Sequence, residues 1–183
     1  MVDLPDRPEG APPQDGPPRW VFIGAVAVAV AAVVAVLLIA ANRDLAPVPV
    51  AAVPAPQAGS AECERLLAAL PETLGDYERA PTADPAPAGV AAWRADAAPE
   101  PVILRCGLDR PADFMQGVPL QMVDEVNWFR VSEGDRITWF AVDRPVYVAL
   151  TLPEDSGPTP IQELSAAIGA ALPTRPIDPA PAR

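Results

Sequence analysis

Two cysteines, no histidine and thirteen arginines without a single lysine set the chemistry open to this chain. Without an imidazole there is no base for Ser-His-Asp or Cys-His catalysis. Two cysteines alone cannot build a structural zinc site, and the acidic residues show no calcium-loop spacing. Gly107, Gly117 and Gly134 stand singly rather than in a phosphate-cradling loop. No catalytic residue, metal or cofactor is therefore expected. Carboxylate pairs remain, because acid/base hydrolysis needs only two of them several ångströms apart. Asp124 and Glu125 are the first candidates, but neighbouring strand residues point to opposite faces and make a poor dyad. Asp109-Arg110, Asp135-Arg136 and Asp143-Arg144 each place an acid before an arginine at a strand end, where such pairs solvate turns.

The cysteines sit in two different patterns. Cys63, Leu66, Leu67 and Leu70 fall at i, i+3, i+4 and i+7, the apolar stripe of a short helix that Pro71 stops. Val102, Leu104, Cys106 and Leu108 alternate with Ile103, Arg105 and Gly107, as in a strand. Both thiols thus face one buried interface, and outside the cytoplasm such a pair oxidises. A Cys63–Cys106 disulfide between helix and sheet is expected. A redox-active pair would need Cys-x-x-Cys proximity, which is missing.

The best candidate for a binding surface is an aromatic hairpin. Residues 126–131 and 136–141 flank Ser132-Glu133-Gly134-Asp135, and a two- or four-residue loop pairs positions whose numbers sum to 267. Trp128 then faces Trp139 on one side of the sheet, and Phe129 and Phe140 lie on the other. A three-residue loop with a bulge would shift the pairing by one. Both ring layers read as core, covered by helices on one side and by the Pro-rich segment 72–100 on the other. Should one face stay open, Trp128 and Trp139, or Phe129 and Phe140, form a platform for a sugar ring, a peptide or a partner chain.

Further elements must position these residues. A strand is expected over 146–152, and Thr159-Pro160-Ile161-Gln162 resembles a capping box opening a helix whose Ile161, Leu164, Ile168 and Leu172 form one face. The segment from Gly75 to Trp93 holds room for one or two edge strands. The sum is an α+β domain with an antiparallel sheet of four or five strands and two helices on one face.

Ahead of it, Val21 to Ala41 is an unbroken apolar run. As a helix it reaches about 31 Å, close to the ~30 Å hydrocarbon thickness of a bilayer. The run exceeds the 7 to 15 residues of a typical signal-peptide apolar region, so a retained single span is expected. Arg7, Arg19 and the α-amino group precede it and Arg43 follows, which places the N-terminus in the cytoplasm. The expected order is a disordered cytoplasmic tail over 1–19 and a transmembrane helix over 20–42. A Pro/Ala-rich linker over 43–60, an extracytoplasmic α+β domain over 61–173 and a disordered tail over 174–183 complete it. The linker, read as a polyproline-II tether, could hold the domain up to about 50 Å off the bilayer. The formal charge of −11 argues against nucleic acid, whose binding needs clustered cations. The expected partners are the membrane, through one span, and a cell-envelope protein or glycan.

Cys63 with Leu70-Pro71, Ala92-Trp93, Leu104-Arg105-Cys106-Gly107, Trp128, and Asp143-Arg144 before Val146-Tyr147-Val148 resemble the actinobacterial membrane-anchored proteins grouped as domain of unknown function 3515. The likeness covers about residues 60–173, and Leu-Arg-Cys-Gly is its most specific stretch. Members continue the Ala-Trp with Gly-Asp-Pro, whereas Arg94-Ala95-Asp96 follows here. The resemblance implies one membrane anchor, an exported domain and no established activity. An uncharacterised binding or scaffolding module of the bacterial cell envelope is the expected function. A carboxylate-dependent envelope hydrolase and an accessory subunit of a membrane complex are the alternatives.

Overall fold

The computed structural model describes residues 19–41, 45–96, 98–133 and 136–182. The tail expected over 1–19 lies, apart from Arg19, outside them. The chain divides into two compact units, Met1–Asp44 and Leu45–Arg183.

In the first unit, helix α1 runs Arg19–Ala41. Ile23, Val26, Val28, Val30, Val33, Val34 and Val36 are all exposed, and at 100° per residue they point all round its axis. No helix among the described residues is long and apolar enough to cross a membrane, so the span expected over 20–42 is not found there. Side chains are described for residues 23–24 and 26–36 of the run. These rise about 20 Å, short of the ~30 Å hydrocarbon layer.

The second unit is α+β. Helix α2 (Ala61–Ala69) precedes strands β1 (Thr73–Leu74), β2 (Tyr77–Ala80), β3 (Val90–Ala95) and β4 (Ala98–Leu108). Strands β5 (Gln121–Val123), β6 (Val126–Glu133), β7 (Arg136–Ala141) and β8 (Tyr147–Pro153) lead to helix α3 (Thr159–Ala171). One sheet of eight strands has the order β1-β2-β3-β4-β8-β7-β6-β5. Two antiparallel meanders are thus joined edge to edge where β4 pairs with β8. The expected four or five strands become eight because β1 and β5 are too short to show alternation. In addition, Pro81, Pro85 and Pro87 fall in the β2–β3 connection rather than in a strand.

Both helices cover one face of the sheet. Cys63 and Leu66 of α2, Leu164 and Ile168 of α3, and Trp93, Leu104, Trp128 and Leu150 of the sheet are fully buried together. The Ser60 hydroxyl caps α2 by accepting from the Cys63 amide at 3.3 Å. Helix α3 starts differently from the expected capping box. Thr159 is already helical, Pro158 holds the cap position with no side-chain bond, and Pro160 lies in the first turn. A proline supplies no N–H there, so one of the usual orphan donors does not arise. The disulfide joins Cys63 of α2 to Cys106 of β4 with Cα atoms 5.7 Å apart, and both residues are fully buried.

The opposite, far face is covered by segments expected to be loose. In the linker, Val48 is fully buried against Ala80, Ala92 and Ile103. Its amide donates to Pro81 O and its carbonyl accepts from Ala83 N, both at 2.8 Å, and the Gln57 amide donates to Gly107 O at 3.0 Å. Residues 45–58 therefore form a strap rather than a tether, because their apolar side chains have a sheet face to cover. The C-terminal segment is anchored too. Ala180 N donates to Phe114 O at 2.9 Å, Gln116 N to Ala180 O at 2.8 Å, and Arg175 N to Asp143 O at 2.8 Å.

Candidate binding face

The aromatic hairpin forms with a register two residues from the expected one. Trp128 pairs with Ala141, Phe129 with Phe140, Arg130 with Trp139 and Glu133 with Arg136. A sum of 267 would have set Val131 against Arg136, whereas Glu133 stands there. A shift of two preserves which side chains share a face, and β8 selects it by pairing Ile137 with Leu152 and Ala141 with Val148.

The four rings separate by depth. Trp128 is fully buried under α3, its Nε1–H donating to the Ser165 hydroxyl at 3.0 Å. Trp139 shares that face, half-buried, with the Arg130 guanidinium 5.7 Å from its ring centre. The two tryptophans are thus no open platform on the helix face. On the far face Phe129 is buried beneath Phe114, ring centres 5.6 Å apart, and Phe140 lies beside it at 6.5 Å. Phe140 is half-buried and lines a hollow of about 210 Å³ with Pro111, Ala112, Asp113, Val131 and Thr138. The cover over this face comes from the strap and from residues 109–120, not from the 72–100 segment, which supplies strands β1 to β3.

Polar groups flank the hollow. Thr138 pairs with Thr151 across β7 and β8, and their hydroxyls lie 3.3 Å apart. Thr151 in turn pairs with Ile103 of β4, two residues before Arg105. Arg105 occupies the far face because Leu104 and Cys106 on either side point into the helix-side core. Its pKa is pushed down, first by burial and then by the like charge of Arg136. Arg136, at the start of β7, makes an ion pair with Glu100 at 2.7 Å. Sequence reasoning missed Arg105, Arg136, Thr138 and Thr151 as a group. The available signal was a single arginine within the otherwise apolar run from Val102 to Leu108.

The acidic candidates have structural positions. Asp124 and Glu125 form the β5–β6 turn with positive φ of 45° and 65°, which suits a two-residue hairpin loop. Asp143 and Arg144, expected to solvate a turn, are instead buried. Asp143 Oδ2 accepts from the Asn127 amide at 3.1 Å and from its side-chain Nδ2 at 2.9 Å. Arg144 donates to Thr174 Oγ1 at 2.7 Å and to Glu125 O at 2.9 Å. The pair therefore clamps the strained turn and the C-terminal segment to the sheet. No group of three His, Cys, Asp or Glu residues able to hold a metal ion occurs among the described residues.

The family model described as "Protein of unknown function (DUF3515)" matches residues 26–177, which takes in the strap and much of the C-terminal segment as well as the sheet. No curated protein and no solved structure matches the chain.

Proposed function

Because the chain belongs to this family of unknown function, DUF3515, we propose its role from its own residues: a single-pass membrane protein whose extracytoplasmic domain binds a ligand of the cell envelope. The observation that carries the reading is the Cys63–Cys106 bridge, fully buried between helix and sheet. Such structural bridges persist in oxidising compartments. The anchor rests on the sequence of α1, RWVFIGAVAVAVAAVVAVLLIAA, and on its described apolar side chains, from Ile23 to Val36, which are exposed all round the axis. A helix apolar all round belongs inside a core or a bilayer.

Binding is favoured over hydrolysis by the far face. The hollow beside Phe140 combines an apolar wall, one hydroxyl and one carboxylate, Asp113, whereas glycoside-type acid/base chemistry needs two carboxyls.

The test is topology in intact cells. The full chain is expected to stay in the membrane fraction through an alkaline carbonate wash. An added protease is expected to degrade the domain from outside, leaving the N-terminal tail protected. Release by carbonate, or protection of the domain with exposure of the tail, would overturn the reading.

A further inference from the structure

Arg105 is half-buried, and no ion pair or side-chain hydrogen bond to it is seen among the described residues. Its side chain lies on the far face, level with Val90 of β3 and Ala149 of β8, in the strip between the strap cluster and the aromatic cluster. Its Nε is buried and finds no acceptor among the described residues. Shutting even one donor of a charged group away from water without an acceptor is unfavourable. The chain has 24 acidic residues against 13 basic ones, yet among the described residues none is ion-paired with Arg105. Arg94, on the same face, also has a buried Nε without an acceptor, but Glu78 stands beside it in the register of β2 and β3. Arg105 has Val90 and Ala149 there instead.

Donors are set out on the same face and at the nearby end of the sheet. Arg136 is near enough for its charge to act on Arg105, and Glu100 takes up one of its nitrogens. Thr138 and Thr151 share a single hydrogen bond in which either can donate, so one hydroxyl proton is left over. Two guanidinium groups and a free hydroxyl form a donor set suited to the oxygens of a carboxylate or phosphate. Thr138 is also a wall of the hollow with Phe140, Val131 and Pro111, and Asp113 lies on its rim.

We propose that Arg105, with Arg136 and the Thr138–Thr151 pair, binds the oxyanion of a small ligand whose apolar part occupies the hollow beside Phe140. This rests on the reading of the domain as a binding module and names its ligand class. The carboxylate of Asp113 disfavours a second anionic group at the rim. The ligand is therefore charged at one end and neutral or cationic at the other.

The experiment uses the full chain in uncharged detergent micelles, with arginine Nε–H signals followed by NMR. Inorganic phosphate, benzoate and the neutral benzamide are titrated at constant ionic strength. Arg105 Nε–H is expected to shift saturably with benzoate, at least tenfold more tightly than with benzamide. Comparing phosphate with benzoate tells which oxyanion is preferred. Arg105→Gln is expected to weaken binding tenfold or more, Arg105→Lys to retain part of it, and Arg65→Gln, on the exposed surface of α2, to change it less than twofold. Arg105→Met is expected to leave the ligand-free protein at least as heat-stable as the parent, because it keeps the apolar stem and removes a buried Nε–H that has no acceptor among the described residues. Linear shifts, equal binding by Arg105→Gln, or a lower melting temperature for Arg105→Met without any anion effect would overturn the proposal and make Arg105 a structural residue. The micelle assay does not depend on membrane orientation. Failure here with the expected topology strikes the ligand class alone, and failure of the topology with binding intact strikes the anchoring.

Discussion

Gly107→Ala tests whether residues 45–58 belong to the folded domain. Gly107 has φ +86°, and a Cβ built on it would collide with Gln57 C and Ala58 N. These are backbone atoms, so no side-chain rotation relieves the clash and the strap must move. The left-handed backbone costs an L-residue roughly 1–2 kcal/mol. Displacing Gln57 breaks its bond to Gly107 O, a loss of about 0.5–1.5 kcal/mol. If the strap peels back far enough to expose Val48, about 1.5–3 kcal/mol of burial is lost as well. The total is roughly 3 to 6 kcal/mol, a large part of the ~5–15 kcal/mol stability of a typical domain. Gly117→Ala is the control, since φ there is +88° with nothing within 4 Å of the added Cβ. It is expected to cost the backbone term alone. Urea unfolding measures the difference, and hydrogen exchange at the Gln57 and Val48 amides locates it. Equal costs for the two substitutions, with both amides still protected in Gly107→Ala, would refute the packed strap.

The paired substitution Cys63→Ala with Cys106→Ala opens a loop of sequence separation 43 and is expected to lower stability by up to ~4 kcal/mol in the chain-entropy model. A loss below about 1 kcal/mol in thermal or urea unfolding would contradict it. Tyr77 has its pKa raised by burial, then by Asp155 and Asp76, so the folded state holds the phenol proton when the unfolded chain has released it. Its contribution is whole below the unfolded value near 10 and is lost as pH rises through the folded value. Tyr77→Phe is expected to flatten the fall of the melting temperature above pH 10, and an unchanged slope would refute this.

Some of this arrangement was legible in the residues and some was not. The bridge was legible because Cys63 and Cys106 each sit in a periodic apolar pattern, one of period 3.6 and one of period 2. Helix α3 was legible for the same reason, and Ile161, Leu164, Ile168 and Leu172 are all buried. Strands β1 and β5, of two and three residues, have no room for a pattern. The strap failed on composition. Proline and alanine read as solvated chain, yet Val48 is fully buried through hydrogen bonds to residues more than thirty positions away. The hairpin register failed because the loop alone permits several pairings, and the choice is made by β8, which is distant in sequence from β6.

Leu104-Arg105-Cys106-Gly107 shows why the site and the scaffold are hard to separate. Leu104 fills the helix-side core, Cys106 ties β4 to α2, and the Cys106 amide donates to Gly89 O at 2.8 Å. Gly107 lets the strap approach β4 on the far face. Arg105 stands between these fixtures, so its Cα is held from both sides of the sheet and little backbone freedom remains to carry its charge toward a carboxylate. A strand fastened this firmly around a guanidinium whose Nε is buried with no acceptor among the described residues is not accounted for by stability alone. It is the arrangement expected when the position of the charge matters more than its cost, as at binding sites preorganised by the shell around them.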